Sequence, residues 1–233
     1  KKVNSAADDA AALQIIDRLT SQQDGYSQAI NNAYDGISYS QVTESNLSGV
    51  NDAVSRIREL SIQAGNGALT DSDRAALQEE VSQLQTQISE TFENATFGGK
   101  PLFDGEQVSF QVGPDANTTQ SVTPSDGSIA SVIAGIDIST QAGAQAAIDI
   151  SDQAAEEINT QRAELGAFQN TLTSTIKGLG NQRENIAASQ SRIEDTDYAK
   201  AVSDQVANDI LSQASVALRG QANRSAESIL GLL

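Results

Sequence analysis

Between Ile158 and Ile193 the chain places an aliphatic residue at every seventh position: Ile158, Leu165, Leu172, Leu179, Ile186 and Ile193. An apolar period of seven belongs to an α-helix wound left-handedly against a partner. A strand would alternate every second residue, and an isolated straight helix would drift off such a seam. The companion positions are mixed: Ile176 is apolar, whereas Arg162, Gln169, Arg183 and Gln190 are not. Such a seam cannot all be buried in a dry two-helix core. It is expected to be shared with water or with a second copy of the molecule.

The same kind of pattern opens the chain. From about Ser5 to Ala64, apolar residues recur at helical spacing through Ile16, Leu19, Tyr26, Ile30, Ala33, Ile37, Leu47, Val50, Val54, Ile57 and Leu60. Ser5 is the expected N-cap, with Asp8 and Asp9 in the first turn. Gly25, Gly36 and Gly49 interrupt this pattern, each costing about 1 kcal/mol relative to Ala. A close neighbour or a local bend would account for them. Gly65-Asn66-Gly67 is a stop, and Thr70 or Asp71 caps a second helix with a stripe of Leu77, Val81, Leu84, Ile88, Thr91 and Ala95. Glu79, Glu80, Gln83 and Gln87 fall on its wet side.

Between Thr96 and Val122 the period drops to two at Val108, Phe110 and Val112, with turn signals at Asp104-Gly105 and Gly113-Pro114. One or two short hairpins are expected there. Residues 115–140 are rich in Ser, Thr, Asn and Gly and predict loop with at most one short strand. The fold class that follows is mainly α. It is an elongated antiparallel helical bundle or coiled-coil rod, with a small β-hairpin region at one end and the chain's two ends together at the other. Four parts are expected: residues 1–95 as the N-terminal two helices of the rod, 96–138 as hairpins and loop, 139–196 as the C-terminal part of the rod, and 197–233 as a helical tail.

That tail differs in character. Val202, Val206, Ala207, Ile210, Leu211, Ala214, Ala217 and Leu218 form a wide apolar face, and the sequence finishes Ile229-Leu230-Gly231-Leu232-Leu233. A tail projecting past the rod has no core of its own to pack on, so it is expected to be an assembly element covered by other chains.

Composition narrows the chemistry. The chain has no His and no Cys, which removes the usual general base, imidazole triads, thiolate nucleophiles, disulfides and the commonest metal ligands. No nucleophile–base pair is left, so no enzyme is expected, and no cofactor. The acidic clusters at Asp71/Asp73, Glu79/Glu80, Glu156/Glu157 and Glu194/Asp195/Asp197 lack the spacing and turn glycine of a calcium loop, and helix caps and wet faces explain them. A net charge of −17 argues against nucleic acid. No stretch approaches the roughly twenty apolar residues that span a bilayer, so no membrane partner is expected. No apolar run follows Lys1-Lys2-Val3 as a secretory signal would require.

Several separated segments resemble bacterial flagellin. Asn4-Ser5-Ala6-Ala7-Asp8-Asp9-Ala10-Ala11 is similar to the start of its core, as is Asn31-Asn32-Ala33-Tyr34-Asp35-Gly36-Ile37-Ser38. Thr96-Phe97-Gly98-Gly99-Lys100-Pro101-Leu102 with Phe110-Gln111-Val112-Gly113 resembles its hairpin region. Ser191-Arg192-Ile193-Glu194-Asp195-Thr196-Asp197-Tyr198-Ala199 resembles its C-terminal signature. The order of the motifs matches, and the likeness covers essentially the whole chain. Three departures stand out. Ala12 replaces a customary Gly, the family's amphipathic N-terminal helix is expected ahead of Lys1, and the short segment after the hairpins leaves no room for large outer domains.

The resemblance implies a structural subunit that polymerises with copies of itself into the flagellar filament. It would be cytoplasmic before export by the flagellar type III apparatus and extracellular afterwards. A hook–filament junction protein, or a type III secreted coiled-coil translocator, is the alternative. The resemblance also implies an export chaperone on the tail, which would share with the filament core Val202, Val206, Ile210, Leu211, Ala214, Leu218, Ile229, Leu230, Leu232 and Leu233. It further implies recognition by Toll-like receptor five of hosts through Arg56, Leu60 and Glu80, with Gln63 and Leu77 beside them. O-glycosylation is implied for an exposed loop carrying Ser121, Thr123, Ser125, Ser128 and Ser131.

Overall fold

The computed structural model describes residues 1–230 and contains, in chain order, helix α1 (Ala10–Ala64), helix α2 (Asp71–Asn94), strands β1 (Thr96–Phe97), β2 (Lys100–Pro101), β3 (Val108–Gln111) and β4 (Thr119–Val122), and helices α3 (Ser128–Ala134), α4 (Gln141–Glu194) and α5 (Tyr198–Leu230). The residues fall into two units. One is Lys1–Ser21 with the residues from Asn185 on, and the other is Gln22–Glu184.

In the larger unit the heptad pattern is met by α1 and α2. Ile158, Leu165 and Leu172 of α4 are buried together with Leu47, Val50, Ile57 and Leu60 of α1 and with Val81 and Ile88 of α2. Cross-links fix the direction: Arg58 pairs with Asp152, Glu44 with Arg162 and Gln169, and Gly36 faces Leu172. The α1 number falls as the α4 number rises, so the two helices run antiparallel. Where a partner residue of the α4 seam is fully buried, it lies three residues after a heptad position rather than four. Ala147, Ala154 and Phe168 are buried, whereas Arg162, Gln169 and Ile176 are only half-buried. Arg162 and Gln169 therefore stay partly in water. Both turn to the Glu44 carboxylate, at 3.8 and 3.3 Å. The small Ala144, Ala147 and Ala154 let the helices approach closely at the start of α4.

Helix α1 is unbroken through its glycines. At Gly36 an added Cβ would lie 2.8 Å from Leu172 Cδ1 and 3.3 Å from the Phe110 ring, so close approach explains the glycine. At Gly49 there is no neighbour within 4 Å. Ser40, Thr43 and Ser61 of α1 and Ser151 of α4 are buried, and their hydroxyls donate to the carbonyl four residues back, at 2.7–2.9 Å.

The α1–α2 turn is held by an unexpected residue. Arg74 is buried and donates to the carbonyls of Ala64, Asn66 (3.0 Å) and Leu69 (2.9 Å). Thr70 caps α2 in a reciprocal box with Asp73, and the Thr70 hydroxyl and backbone N–H hold the Asp73 carboxyl below the usual carboxylate range. Phe92 completes the α2 core face, against Phe103 with ring centroids 4.7 Å apart.

Of the one or two short hairpins expected, two form. The β1–β2 pair turns through Gly98 and Gly99 at φ 59° and 86°, a left-handed pair that glycine alone adopts without strain. The β3–β4 pair sets Val108 opposite Val122 and Phe110 opposite Gln120. The segment after them is not all loop, because α3 buries Ile129 and Ile133 against the core. Gln85 of α2 donates to the carbonyls of Ile133 and Ile136, both at 2.8 Å, and Gln78 accepts from the Ile138 N–H at 2.7 Å. Seven residues between Ser- and Gly-rich flanks carry too little periodicity to announce that helix; the two glutamines of α2 hold it.

In the smaller unit α1 begins at Ala10, not near Ser5. The Asp9 carboxylate takes the N–H groups of Ala11 and Ala12, at 3.0 and 2.9 Å, and so is the cap. The Ser5 hydroxyl is instead turned to the Asp8 carboxylate, at 3.1 Å, and the regular helix starts only after Asp9. Asp8 folds back to accept from the backbone of Asn4 and Ser5 and from the Ser5 hydroxyl, which holds its carboxyl below the usual carboxylate range. Val3 and Ile16 are buried here, the Lys2 N–H donates to the Glu194 carbonyl at 2.6 Å, and Lys1 pairs with the Glu194 carboxylate.

Candidate functional site

Helix α5 begins at Tyr198, with the Asp197 carboxylate accepting from the Lys200 N–H at 3.1 Å. Val202, Val206, Ile210, Ala214 and Leu218 follow in steps of four. Each such step advances about 40° around a helix of 3.6 residues per turn, so the set sweeps a broad face rather than a narrow seam. Leu211 lies at its edge. That breadth distinguishes α5 from α4, whose steps of seven hold one line against one neighbour. Every described side chain from Asp195 to Ala222 is exposed. Ile210 is 60 % exposed, Leu211 67 % and Leu218 70 %. Ile229, Leu230, Leu232 and Leu233 lie outside the residues whose side chains the structure describes.

A second surface joins α1 and α2. The Arg56 guanidinium donates to Glu80 at 2.7–2.8 Å and to Glu59 at 3.0 Å, and these carboxylates hold it more firmly protonated. Both Arg56 and Glu80 keep close to half their side-chain surface in water. Gln63 is exposed and Leu77 half-buried. Leu60 is different. It is 1 % exposed and belongs to the core, because it sits one residue from the inward Ser61 and shares the buried face with Ile57 and Ala64. As a surface contact of the folded chain it is withdrawn.

The five expected acceptor hydroxyls do not share one loop. Ser121 lies on β4, Ser128 and Ser131 on α3, and Thr123 between them; these four are exposed. Ser125 is 7 % exposed, packed under the turn before α3, and is no longer available as an acceptor. Among the described residues no group of three or more carboxylates is arranged to hold a metal ion. No described helix is long and apolar enough to cross a membrane.

These features meet a consistent set of similar proteins. The N-terminal helical region of bacterial flagellin matches residues 1–108, and its C-terminal helical region matches residues 148–233. A flagellin of Treponema pallidum is 37% identical over 253 residues, covering all of this chain and 88% of its own length. The flagellin of Bacillus subtilis is 35% identical over 271 residues, again covering all of this chain and 88% of its own. A solved flagellar hook-associated protein of Vibrio parahaemolyticus shares the fold at a TM-score of 0.69 and 16% identity, covering 81% of this chain and 100% of its own.

Proposed function

This chain belongs to the bacterial flagellin family and is a structural subunit of the flagellar filament, not an enzyme, and from that premise we propose how its surfaces serve export and assembly. The observation that carries the reading is the uncovered apolar face of α5. Burying a Val, Ile or Leu side chain contributes on the order of 2 kcal/mol, so Val202, Val206, Ile210, Leu211 and Leu218 together offer about 10 kcal/mol. Association must offset a comparable loss of rotational and translational freedom. That balance leaves the monomer soluble while favouring the polymer once neighbours cover the face.

Before assembly the same face needs a cover. A dedicated export chaperone wrapping α5 in the cytoplasm, and passage through the flagellar type III apparatus to an extracellular filament, satisfy that need in sequence. A chain without disulfides suits a route taken unfolded. Assembly is tested with the full chain carrying Ile210→Asp and Leu211→Asp, seeded with filament fragments and viewed by electron microscopy. The variant is expected to remain monomeric and to lose the chaperone in a co-purification. Filaments of normal length would overturn the proposal.

Host recognition by Toll-like receptor five belongs to the Arg56–Glu80 surface with Gln63 and Leu77, supported by its exposure on a single chain. Arg56→Ala should lower the response in a receptor-reporter assay of monomer, and an unchanged response would refute it. O-glycosylation is proposed at Ser121, Thr123, Ser128 and Ser131. Intact-mass measurement on native filaments should give a mass above that of the bare chain, and a bare mass would refute it.

A further inference from the structure

A small aromatic pocket opens between the two hairpins and α1. Its walls are the rings of Tyr39, Phe97 and Phe110, and its volume is about 230 Å³. Tyr39 stands edge-on to Phe97, with centroids 5.6 Å apart and planes at 84°, and is tilted at 59° to Phe110 at 5.8 Å. Asp104 and Glu106 lie on the rim. The Tyr39 side chain is 3 % exposed, yet its hydroxyl finds no partner among the described residues. A buried hydroxyl left unpaired is disfavoured, and a donor brought to its oxygen would relieve it. Burial pushes the Tyr39 phenol up from its ordinary value, and the Asp104 charge adds to that, which marks a negative field at the hydroxyl.

We propose that this pocket binds a primary alkylammonium group. The cation is drawn by the ring faces and the rim carboxylates, its N–H donates to the Tyr39 hydroxyl oxygen, and its alkyl stem lies on the aromatic walls. Three features select that chemistry. Aromatic faces attract cations, and more so where water is excluded. Asp104 and Glu106 set two negative charges against the one positive charge of Lys100 on the same rim. An anion would meet the carboxylates and the ring faces together, and both would repel it. A quaternary ammonium would satisfy the rings but has no N–H for Tyr39. The alkylammonium could come from a free amine or from a lysine of a second copy of this chain.

The test uses the full chain with 13C-labelled tyrosine, titrated with n-butylammonium and followed by NMR at the Tyr39 ring, which Tyr39→Phe identifies. A saturable shift is expected in the monomer. Tetramethylammonium should bind more weakly, and neutral n-butanol should leave the ring unmoved. Tyr39→Phe keeps the ring packing and, read from 13C-labelled phenylalanine at Phe97 and Phe110, should weaken butylammonium about fivefold, equivalent to ~1 kcal/mol. Asp104→Asn should weaken it similarly, and Lys100→Gln should strengthen it by removing a like charge. In filaments, a free-amine site still takes up butylammonium. A site filled by a neighbour's lysine shows its Tyr39 shift on polymerisation alone and takes up no added amine. The absence of a saturable shift in monomer and filament alike, or equal binding of n-butanol, overturns the proposal.

Discussion

Gly36 and Gly49 lie in the same helix and would be replaced by the same residue, but their surroundings differ. Each Gly→Ala change should gain about 1 kcal/mol from helix propensity, and that gain cancels when the two are compared. What remains is the space around the new methyl. At Gly49 it meets nothing within 4 Å, so Gly49→Ala should be stabilising. At Gly36 it would lie 2.8 Å from Leu172 Cδ1 and 3.3 Å from Phe110 Cγ. Leu172 is 0 % exposed and cannot swing clear, and the Phe110 ring is already packed, tilted, against both Tyr39 and Phe168. Overpacking of that kind costs roughly 1–3 kcal/mol. For a chain of this size about 1 kcal/mol moves the midpoint by ~2–4 °C, so Gly36→Ala should melt ~2–12 °C below Gly49→Ala. The assay is thermal melting of monomer followed by circular dichroism at the helix band. Equal midpoints, or a higher one for Gly36→Ala, would refute the close approach of α1, α4 and β3 at this point.

Arg74→Ala should lower stability by about 2–4 kcal/mol in urea unfolding, because three carbonyls at the α1–α2 turn lose a charged donor. Arg74→Lys should recover less than half of that, since an ammonium cannot fork across three acceptors as a guanidinium does. The carboxyls of Asp73, Asp126 and Asp137 are held below the usual range by Thr70, Ser128 and Ser139 respectively. Depressed folded values mean the unfolded chain takes up protons first. The stability they contribute is therefore complete above about pH 4 and lost as pH falls through the lower folded values. Urea midpoints measured downward from pH 5 should show that fall, and Thr70→Ala should make it shallower. Leu211→Ser should leave the melting curve of the monomer unchanged, since its side chain is exposed, while delaying seeded filament growth.

The long helices were legible because their burial is periodic. Steps of seven from Ile158, the Gly65-Asn66-Gly67 stop and the Thr70 cap are local signals, and helix formation follows local signals when one face repeats over many turns. The broad face of α5 was legible for the same reason, and the β3–β4 hairpin was legible from the alternation of Val108, Phe110 and Val112 with the Gly113-Pro114 turn signal. Other features depended on which chains meet across space. Ser5 and Asp9 are both good caps by composition, and only the local backbone path gave the role to Asp9. Leu60 carried the sign of its burial in the apolar stripe with Ile57, against the surface role that the resemblance implied, whereas Ser125 gave none, because one turn of a loop decides between core and water. Arg162 and Gln169 are half-buried, as a seam shared with water requires, and only the fold set Glu44 opposite them. Helix α3 is too short to show a period and depends on Gln78 and Gln85. The pocket around Tyr39 joins residues about seventy positions apart. What the order of residues determined was therefore what repeats along the chain: helices, turns and the greasy tail. What the tertiary structure decided was which polar groups find partners, because pairing is a matter of distance between segments that no single stretch of sequence contains.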